Sequence, residues 1–316
     1  MKRYILRRIV QLIPVLVGIT LVSFTLMYLS PSDPALMMLN AQGVAPTQEL
    51  LDQTRQEMGL NQPFFSRYIS WITSAMQGDF GYSYTYSSPV STVIAQRFPT
   101  TFILSIASLI VVIVVAVPLG IAAALHKGGI TSAIIHFFEF FSLSMPTFWL
   151  GLLLIYIFAL TLGWLPAISN STKAIGFILP VVALSFSYIG RLIGQVNVDV
   201  TEELDKPYIV GLRSRGIPRR QIIWHHVVRN ALLPSITVVG LALGAMLSGS
   251  VTTEMVFSLQ GLGYMSIQAI TGRDYALVQG YVVITAFFFV MVNLAVDLIY
   301  HACDPQLRVG AKGGVR

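Results

Sequence analysis

Along the 316 residues, apolar runs of membrane-crossing length alternate with two long hydrophilic stretches. An α-helix rises 1.5 Å per residue, so a hydrocarbon layer about 30 Å thick needs about 20 apolar residues. Six segments approach that length: Ile9–Leu29, Thr101–Leu125, and about Phe140–Leu165, Ala174–Val196, Asn230–Thr253 and Val278–Val296. Lipid offers no partner to a backbone N–H or C=O, so each run is expected to be helical. The alternation that a membrane barrel needs is absent. The pattern predicts an all-α integral membrane protein of about six spans. Pro14, Pro118, Pro146 and Pro180 fall inside four of these runs, and each is expected to favour a kink.

The first hydrophilic stretch, about Ser30–Pro99, is acidic, with Asp33, Glu49, Asp52, Glu57 and Asp79. Within it Thr47–Met58 reads as a short helix, with Thr47 at the N-cap and Gly59 just past the end. A second helix, Pro63–Met76, gathers Phe65, Tyr68, Ile69, Ile72 and Met76 on one face, suited to dock on the bundle or lie in the membrane interface. The other stretch, about Asn197–Arg229, is the more informative. Pro207 suits a helix start, Tyr208–Ser214 continues it, Gly216 stops it, and Pro218 begins the next helix. Arg213, Arg215, Arg219 and Arg220 crown this helix–glycine–helix elbow. A helix so short is marginal in water, so it needs a docking surface. The expected organisation is therefore a first helix at 1–29, an external helical excursion at 30–98, and a five-helix core at 99–316 with short cytoplasmic helices at about 205–229.

Composition agrees with the pattern. The chain is 55% hydrophobic and 11% charged, with mean hydropathy +0.73, whereas soluble domains carry about 25% charged residues. So little charge cannot cover a water-exposed globule. The net charge of +6 fits basic residues kept on the cytoplasmic side better than a nucleic-acid surface. With the N-terminus inside, fifteen of the 20 Lys and Arg fall on inner segments, which places both termini in the cytoplasm. The run Ile9–Leu29 holds 21 uncharged residues and is followed by Ser30-Pro31-Ser32, without a small-residue cleavage site. It reads as a retained anchor. One cysteine, Cys303, excludes an internal disulfide and a Cys-based zinc cluster.

Catalytic signatures are missing from the sequence. It contains no phosphate-binding G-x-x-x-x-G-K-[ST], no H-E-x-x-H and no G-x-S-x-G. The adjacent His225 and His226 diverge by about 100° on a helix, so one face cannot chelate a metal with both. The ionisable residues in or beside spans, Glu139, Arg191, Glu254 and Asp297, are placed near span ends, within reach of water or headgroups. A self-sufficient secondary transporter or channel stays open as an alternative, weakened by the lack of a central ionisable group and of an internal repeat. In the fifth run Gly240, Gly244 and Ser248 recur every four residues, a stripe for close helix contact. Its neighbour, internal or in another subunit, is not specified.

Taken together the motifs resemble the permease subunits of bacterial ATP-binding-cassette importers, in the dipeptide, oligopeptide and nickel branch. The strongest match is Tyr208-Ile209-Val210-Gly211-Leu212-Arg213-Ser214-Arg215-Gly216 followed by Arg229-Asn230-Ala231-Leu232-Leu233-Pro234, which looks like the family's coupling motif. Val210-Gly211-Leu212 stands where the motif has Glu-Ala-Ala. Shorter matches run in order along the chain. They include Arg7-Arg8-Ile9, Asp33-Pro34, Gly78-Asp79-Phe80-Gly81, Ser144-Met145-Pro146, Gly261-Leu262-Gly263, Arg273-Asp274-Tyr275 and Asp304-Pro305. Ser258-Leu259-Gln260 departs from the family's frequent Trp-Pro. The resemblance implies a type I importer fold in the bacterial inner membrane and a non-catalytic chain. It also implies a second homologous permease, two cytoplasmic ATPases that hold the ATP and Mg, and a separate extracytoplasmic substrate-binding protein. On this chain Tyr208, Leu212, Arg213, Arg215, Gly216, Arg219 and Arg220 would meet the ATPases. The implied cargo is nickel, a metal–opine chelate or a short peptide. The resemblance is somewhat closer to the nickel and metal–opine permeases, on Asp33-Pro34-Ala35-Leu36, Pro46–Leu51 and Asp79-Phe80-Gly81.

Overall fold

The computed structural model describes residues 2–29, 33–41, 43–169 and 173–303. The Ser30-Pro31-Ser32 stretch, Asp304-Pro305 and the basic Arg308, Lys312 and Arg316 lie outside the described residues. The chain is helical nearly throughout: α1 (Lys2–Tyr28), α2 (Pro34–Ala41), α3 (Gln48–Glu57), α4 (Phe64–Met76), the two-residue strands β1 (Tyr82–Ser83) and β2 (Ser88–Pro89), α5 (Val90–Leu125), α6 (Ile130–Ser144) and α7 (Thr147–Leu154). Then follow α8 (Ile178–Leu204), α9 (Pro207–Ser214), α10 (Arg219–Gln221), α11 (Val228–Gly249), α12 (Val251–Val256), α13 (Leu262–Thr271) and α14 (Tyr275–Cys303). Among the described residues four helices are long and apolar enough to cross a membrane: Val90–Leu125, Ala174–Leu204, Arg219–Ser248 and Tyr275–Tyr300. A fifth crossing results if the bent pair Ile130–Ser144 and Thr147–Thr161 counts as one, and Ile13–Tyr28 of α1 is a shorter apolar helix.

That bent pair corrects the expected third span. The helix begins ten residues before Phe140, at Ile130, and turns by 101° instead of kinking gently. The cause is local. A residue before proline is pushed out of the helical region, and Met145 is extended (φ −90°, ψ 121°), as is Pro146 at the N-cap of α7. The other prolines behave differently. Pro180 lies in the first turn of α8, where an absent N–H costs nothing, and helices α1 and α5 run through Pro14 and Pro118 without a break.

The chain divides into two compact units, residues 1–101 with 260–288, and residues 102–259 with 289–316. In the first, α4 packs on α1 through Phe64, Tyr68 and Trp71, whose rings lie 5.4, 5.5 and 5.9 Å from the ring of Phe24. The Tyr68 hydroxyl sits 2.9 Å from that of Thr20. The docking face is thus the 64/68/71 row. Phe65, Ile69 and Met76, expected on that face, are exposed. They suit contact with lipid at the interface. Thr47 caps α3 by accepting from the Leu50 N–H, and Gly59 takes φ +65° just past the helix. Asp33 caps α2 through the Ala35 N–H at 3.0 Å and pairs with Arg55 of α3 at 2.6 Å.

Asp274, 1% exposed, knots the rest of this unit together. One carboxylate oxygen accepts from the Ser83 hydroxyl (2.6 Å) and the Thr85 N–H (3.0 Å) in the β1–β2 turn, and the other from the Leu277 N–H (3.2 Å) at the start of α14. It is a helix cap and a hairpin anchor at once.

In the second unit α8 is the centre, with α6, α7, α11 and α12 packed around it. Lipid supplies no hydrophobic drive between helices, so close approach and polar links must hold them. Small residues provide the approach. A Cβ on Gly120 of α5 would meet Val196 at 2.7 Å, and one on Gly190 of α8 would meet Ser142 of α6 at 2.8 Å. Gly240 and Gly244 of α11 face Val296 and Phe289 of α14, so this stripe has a neighbour within the chain itself. Ser248 bonds back to the Gly244 carbonyl at 3.0 Å. Glu254 was expected within reach of water. It is instead fully buried in α12, accepting from Ser250 at 2.8 Å.

Asp274→Ala is expected to remove a helix cap and leave two hairpin donors unpaired, costing about 2–3 kcal/mol. The loss should be read as a lowered Tm of the purified chain, with Asp274→Asn losing less. An unchanged Tm for the alanine variant would show that the knot carries no stability.

Candidate coupling elbow

The elbow is built on the end of α8. The helix continues eight residues past Val196, so the hydrophilic excursion begins later than the sequence pattern suggests. In this extension the apolar periodicity persists through the fully buried Val196 and Val200. Asp199 and Glu203, one turn apart, point to the same side. Both are buried, at 9% and 4% exposure.

A buried carboxylate is costly unless its lone pairs are used. Here they are. Asp199 accepts from Gln195 on its own helix (2.8 Å) and from Ser235 of α11 (2.8 Å). One oxygen of Glu203 receives the Lys206 ammonium at 2.6 Å. The other receives the Tyr208 hydroxyl of α9 at 2.6 Å and, more weakly, the Asn230 amide of α11 at 3.4 Å. Burial and the Glu203 carboxylate push the Tyr208 phenol above its ordinary pKa, which keeps its O–H available to donate. Glu203 therefore joins three elements: the end of α8, the start of α9 and the start of α11.

The helix α9 has Pro207 at its first position, and Ile209 seats it at 0% exposure. Gly216, at φ +74°, closes it. The Gly216 N–H reaches the Arg213 carbonyl (3.0 Å) and the Ile217 N–H reaches Leu212 (3.3 Å). This is the Schellman pattern, and Leu212 and Ile217, its apolar partners, are half-buried against the core. Pro218 then caps α10, which runs through a π-helical turn, Ile222–Val227, into α11. A continuous helical path thus leads from the elbow into a long apolar helix.

The outward face carries Val210, Gly211, Arg213, Ser214, Arg215, Arg219 and Arg220, all exposed. None of the four guanidiniums has a hydrogen-bond or ion-pair partner among the described residues. A Cβ on Gly211 would meet nothing within 4 Å. The elbow is pinned from within and bare outside.

Of the residues singled out from sequence, Tyr208 is an internal tie, Leu212 is half-buried, and Arg213, Arg215, Gly216, Arg219 and Arg220 lie on the exposed side. Gly240, Gly244 and Ser248 lie on α11, which the elbow feeds. The sequence reading missed Asp199, Glu203 and Ser235. The signal was the i, i+4 spacing of two carboxylates along an apolar stripe that continues past Val196.

The comparisons with known proteins follow the same lines. Residues 116–309 match the family described as binding-protein-dependent transport system inner membrane component, and residues 1–107 match its N-terminal companion. The chain belongs to this family. The permease is 33% identical over 313 residues to a metal-staphylopine import system permease protein of Staphylococcus aureus, covering 99% of this chain and 100% of that one. It is 34% identical over 315 residues to a putative peptide transport system permease protein of Brucella abortus, covering 98% and 99%. An oligopeptide transport system permease protein of Bacillus subtilis is 33% identical over 317 residues, covering 97% and 99%. In structure the permease is similar to a chain of the MetNI methionine ABC transporter in an inward-facing conformation, at TM-score 0.55 and 17% identity, covering 67% of this chain and 96% of that one. The fold is that of a type I importer permease. The permease is accordingly a multi-pass inner-membrane subunit of an ABC importer and not an enzyme. That membership displaces the alternative of a self-sufficient secondary transporter or channel.

Replacing Glu203 by Ala leaves Tyr208, Lys206 and Asn230 without their shared acceptor, at a cost of about 2 kcal/mol. The expected readout is faster trypsin cleavage after Arg213 and Arg215 in the purified permease, together with a lower Tm. Cleavage at the wild-type rate would mean that Glu203 does not hold the elbow.

Proposed function

We propose that the permease forms half of the translocation pathway of an ATP-driven importer, and that its elbow is the handle by which cytoplasmic ATPases move it. The observation that carries this reading is the bare, arginine-crowned helix α9 tied through Glu203 to both α8 and α11. In this reading both termini and the elbow lie in the cytoplasm, the excursion of residues 30–98 lies outside, and residues 99–316 form the permease core. A second permease supplies the other half of the pathway. Two ATPases bind the ATP and Mg, and an extracytoplasmic binding protein delivers the cargo, with the external excursion as its landing place.

The mechanism follows from stiffness. ATP binding closes the ATPases on Tyr208, Leu212, Arg213, Arg215, Arg219 and Arg220, and the resulting displacement of α9 is passed to α8 and α11 because Glu203 links all three. Packed helices move as bodies, so the pathway switches from inward- to outward-facing, and hydrolysis resets it. For the cargo we favour a metal chelate of the opine class over a short peptide. The support is the resemblance of Asp33-Pro34-Ala35-Leu36, Pro46–Leu51 and Asp79-Phe80-Gly81 to the nickel and metal–opine permeases, while relatives named for metal-staphylopine and for peptides stand alike at 33–34% identity.

Gly216→Val tests the handle. A β-branched residue at φ +74° costs about 1–2 kcal/mol, enough to loosen the closure of α9 and lower uptake by about five- to thirtyfold. The permease should still reach the membrane, because nothing lies within 4 Å of the new side chain. Normal ATPase binding and normal uptake would overturn the coupling role.

A further inference from the structure

In a membrane helix, glycine commonly marks close contact with a neighbouring helix. Gly18 of α1 does not: a Cβ there would meet nothing within 4 Å. The space beside it is a groove of about 580 Å³, walled by Gly18, Val22 and Leu26 of α1 and by Val278 and Val282 of α14. Both helices flank this groove and neither closes it. From Gly18 to Leu26 it runs about 12 Å along α1. One leaflet of hydrocarbon is about 15 Å deep, and a spanning helix needs about 30 Å. The groove therefore fits the acyl chains of one leaflet and is too short for a further spanning helix.

Any groove in hydrocarbon fills with some lipid, so selectivity must come from what adjoins it. Met27, Arg273 and Tyr275 line this groove and also a second cleft of about 600 Å³ in the same unit. The second cleft is polar where the groove is apolar. Gln279 of α14 lies in its wall, 3% exposed, and its amide nitrogen has no hydrogen-bond partner among the described residues. A buried donor left unpaired is costly, and the cost is recovered when something accepts the bond. Arg67 of α4, also in the wall, is half-buried and stacked over the Tyr28 ring at 5.3 Å. It donates one long bond (3.4 Å) to the Leu60 carbonyl and pairs with no carboxylate among the described residues. Burial lowers its pKa, the mark of a cation partly stripped of water. Arg273, common to both spaces, adds an exposed second guanidinium. The carboxylates of the wall, Glu57 and Asp79, are exposed and already accept from the Gln53 amide (3.1 Å) and the Gly81 N–H (2.9 Å). The planar guanidinium fork matches the oxygens of a phosphate.

An apolar groove one leaflet deep, joined to a polar cleft with two guanidiniums and an orphan amide donor, is complementary to an amphiphile with an anionic head. We propose that this paired site holds one molecule of phosphatidylglycerol. Its acyl chains lie along Gly18 and Val22, its phosphate is received by Arg67 and Arg273, and an oxygen of its head accepts from the Gln279 amide. The lipid fills the gap that α1 and α14 leave between them and so acts as a structural part of the first unit. The proposal concerns that unit alone. It needs neither the elbow as a handle nor an assignment of inside and outside.

The test is native mass spectrometry of the full chain, delipidated in detergent and titrated with dioleoyl-phosphatidylglycerol or dioleoyl-phosphatidylcholine. One phosphatidylglycerol should bind about tenfold or more tighter than phosphatidylcholine and than any further copy. Gly18→Phe, which fills the groove, and Arg67→Gln should each weaken that first binding by about tenfold or more. Gln279→Leu should weaken it by about threefold or more while its Tm without lipid holds or rises, because an unpaired amide gives way to an apolar side chain of similar size. Phosphatidylglycerol should raise the Tm of the wild type and leave that of Gly18→Phe unmoved. Open space at Gly18 lets the phenylalanine variant fold, and Arg67→Gln with Gln279→Leu decides the matter if it does not. Graded uptake of several lipids without a first tight one, equal binding of phosphatidylcholine, or wild-type affinity in all three variants would overturn the proposal. So would displacement of the lipid by millimolar glycerol phosphate, which would assign the polar cleft to a water-soluble phosphate. Gly216→Val should hold the lipid as the wild type does, so failure here and failure of the coupling reading are distinguishable.

Discussion

The Glu203 carboxylate is the point on which the second unit's mechanics rest. Between helices in lipid, packing contributes through close approach, and an interhelical hydrogen bond adds about 0.6–2 kcal/mol. A buried ion whose oxygens are fully used does more than add a bond. If one partner leaves, the remaining charge has nowhere to go, so the arrangement is closer to all-or-none than to elastic. Glu203 holds Lys206, Tyr208 and Asn230 at once, and Asp199, a turn earlier, holds Ser235. The end of α8, the short α9 and the start of α11 are thereby one mechanical piece. An eight-residue helix that would not persist alone in water is thereby held to its two neighbours.

The same logic explains the glycines. At Gly120 and Gly190 a side chain would press on a backbone carbonyl of the neighbouring helix at 3.0 Å, and at Gly194, Gly240 and Gly244 it would collide with the packed side chains of Glu139, Val296 and Phe289. Gly216 has the opposite reason. There is ample space around it, and the requirement is its φ of +74°, which lets the chain turn sharply between two short helices. Val210-Gly211-Leu212, where the coupling motif that the segment resembles has Glu-Ala-Ala, leaves the outer face of α9 without an acid. The charges exposed on this elbow are those of its arginines.

Much of this was legible in the sequence because it is written locally. Thr47, Gly59, Pro63, Pro207, Gly216 and Pro218 bound their helices by rules of capping and backbone conformation that need no tertiary information. The bend at Pro146 was only half legible. A proline announces an interruption, but the 101° angle depends on the extended Met145 and on what α7 packs against. The docking face of α4 was misplaced by one residue position, because Phe64, Phe65, Tyr68, Ile69 and Trp71 leave nearly the whole helix apolar. Only the ring of Phe24, distant in sequence, selects a side. Glu254 and Glu203 were illegible for a common reason. A carboxylate near a span end reads as solvated, and its burial is decided by partners, Ser250 in one case and Tyr208 with Asn230 in the other.

The central claim is that a motor on the cytoplasmic side holds this elbow, and a cysteine cross-link tests it most directly. With Cys303, the chain's single cysteine, replaced by serine, Ser214→Cys on the bare face of α9 gives one reactive site. In membranes containing the whole transporter, oxidation or a short bifunctional reagent should link it to an ATP-hydrolysing subunit, with a yield that changes when nucleotide is added. A cysteine there that reacts only with reagents applied from outside the cell, or that never links to such a subunit, would contradict the account.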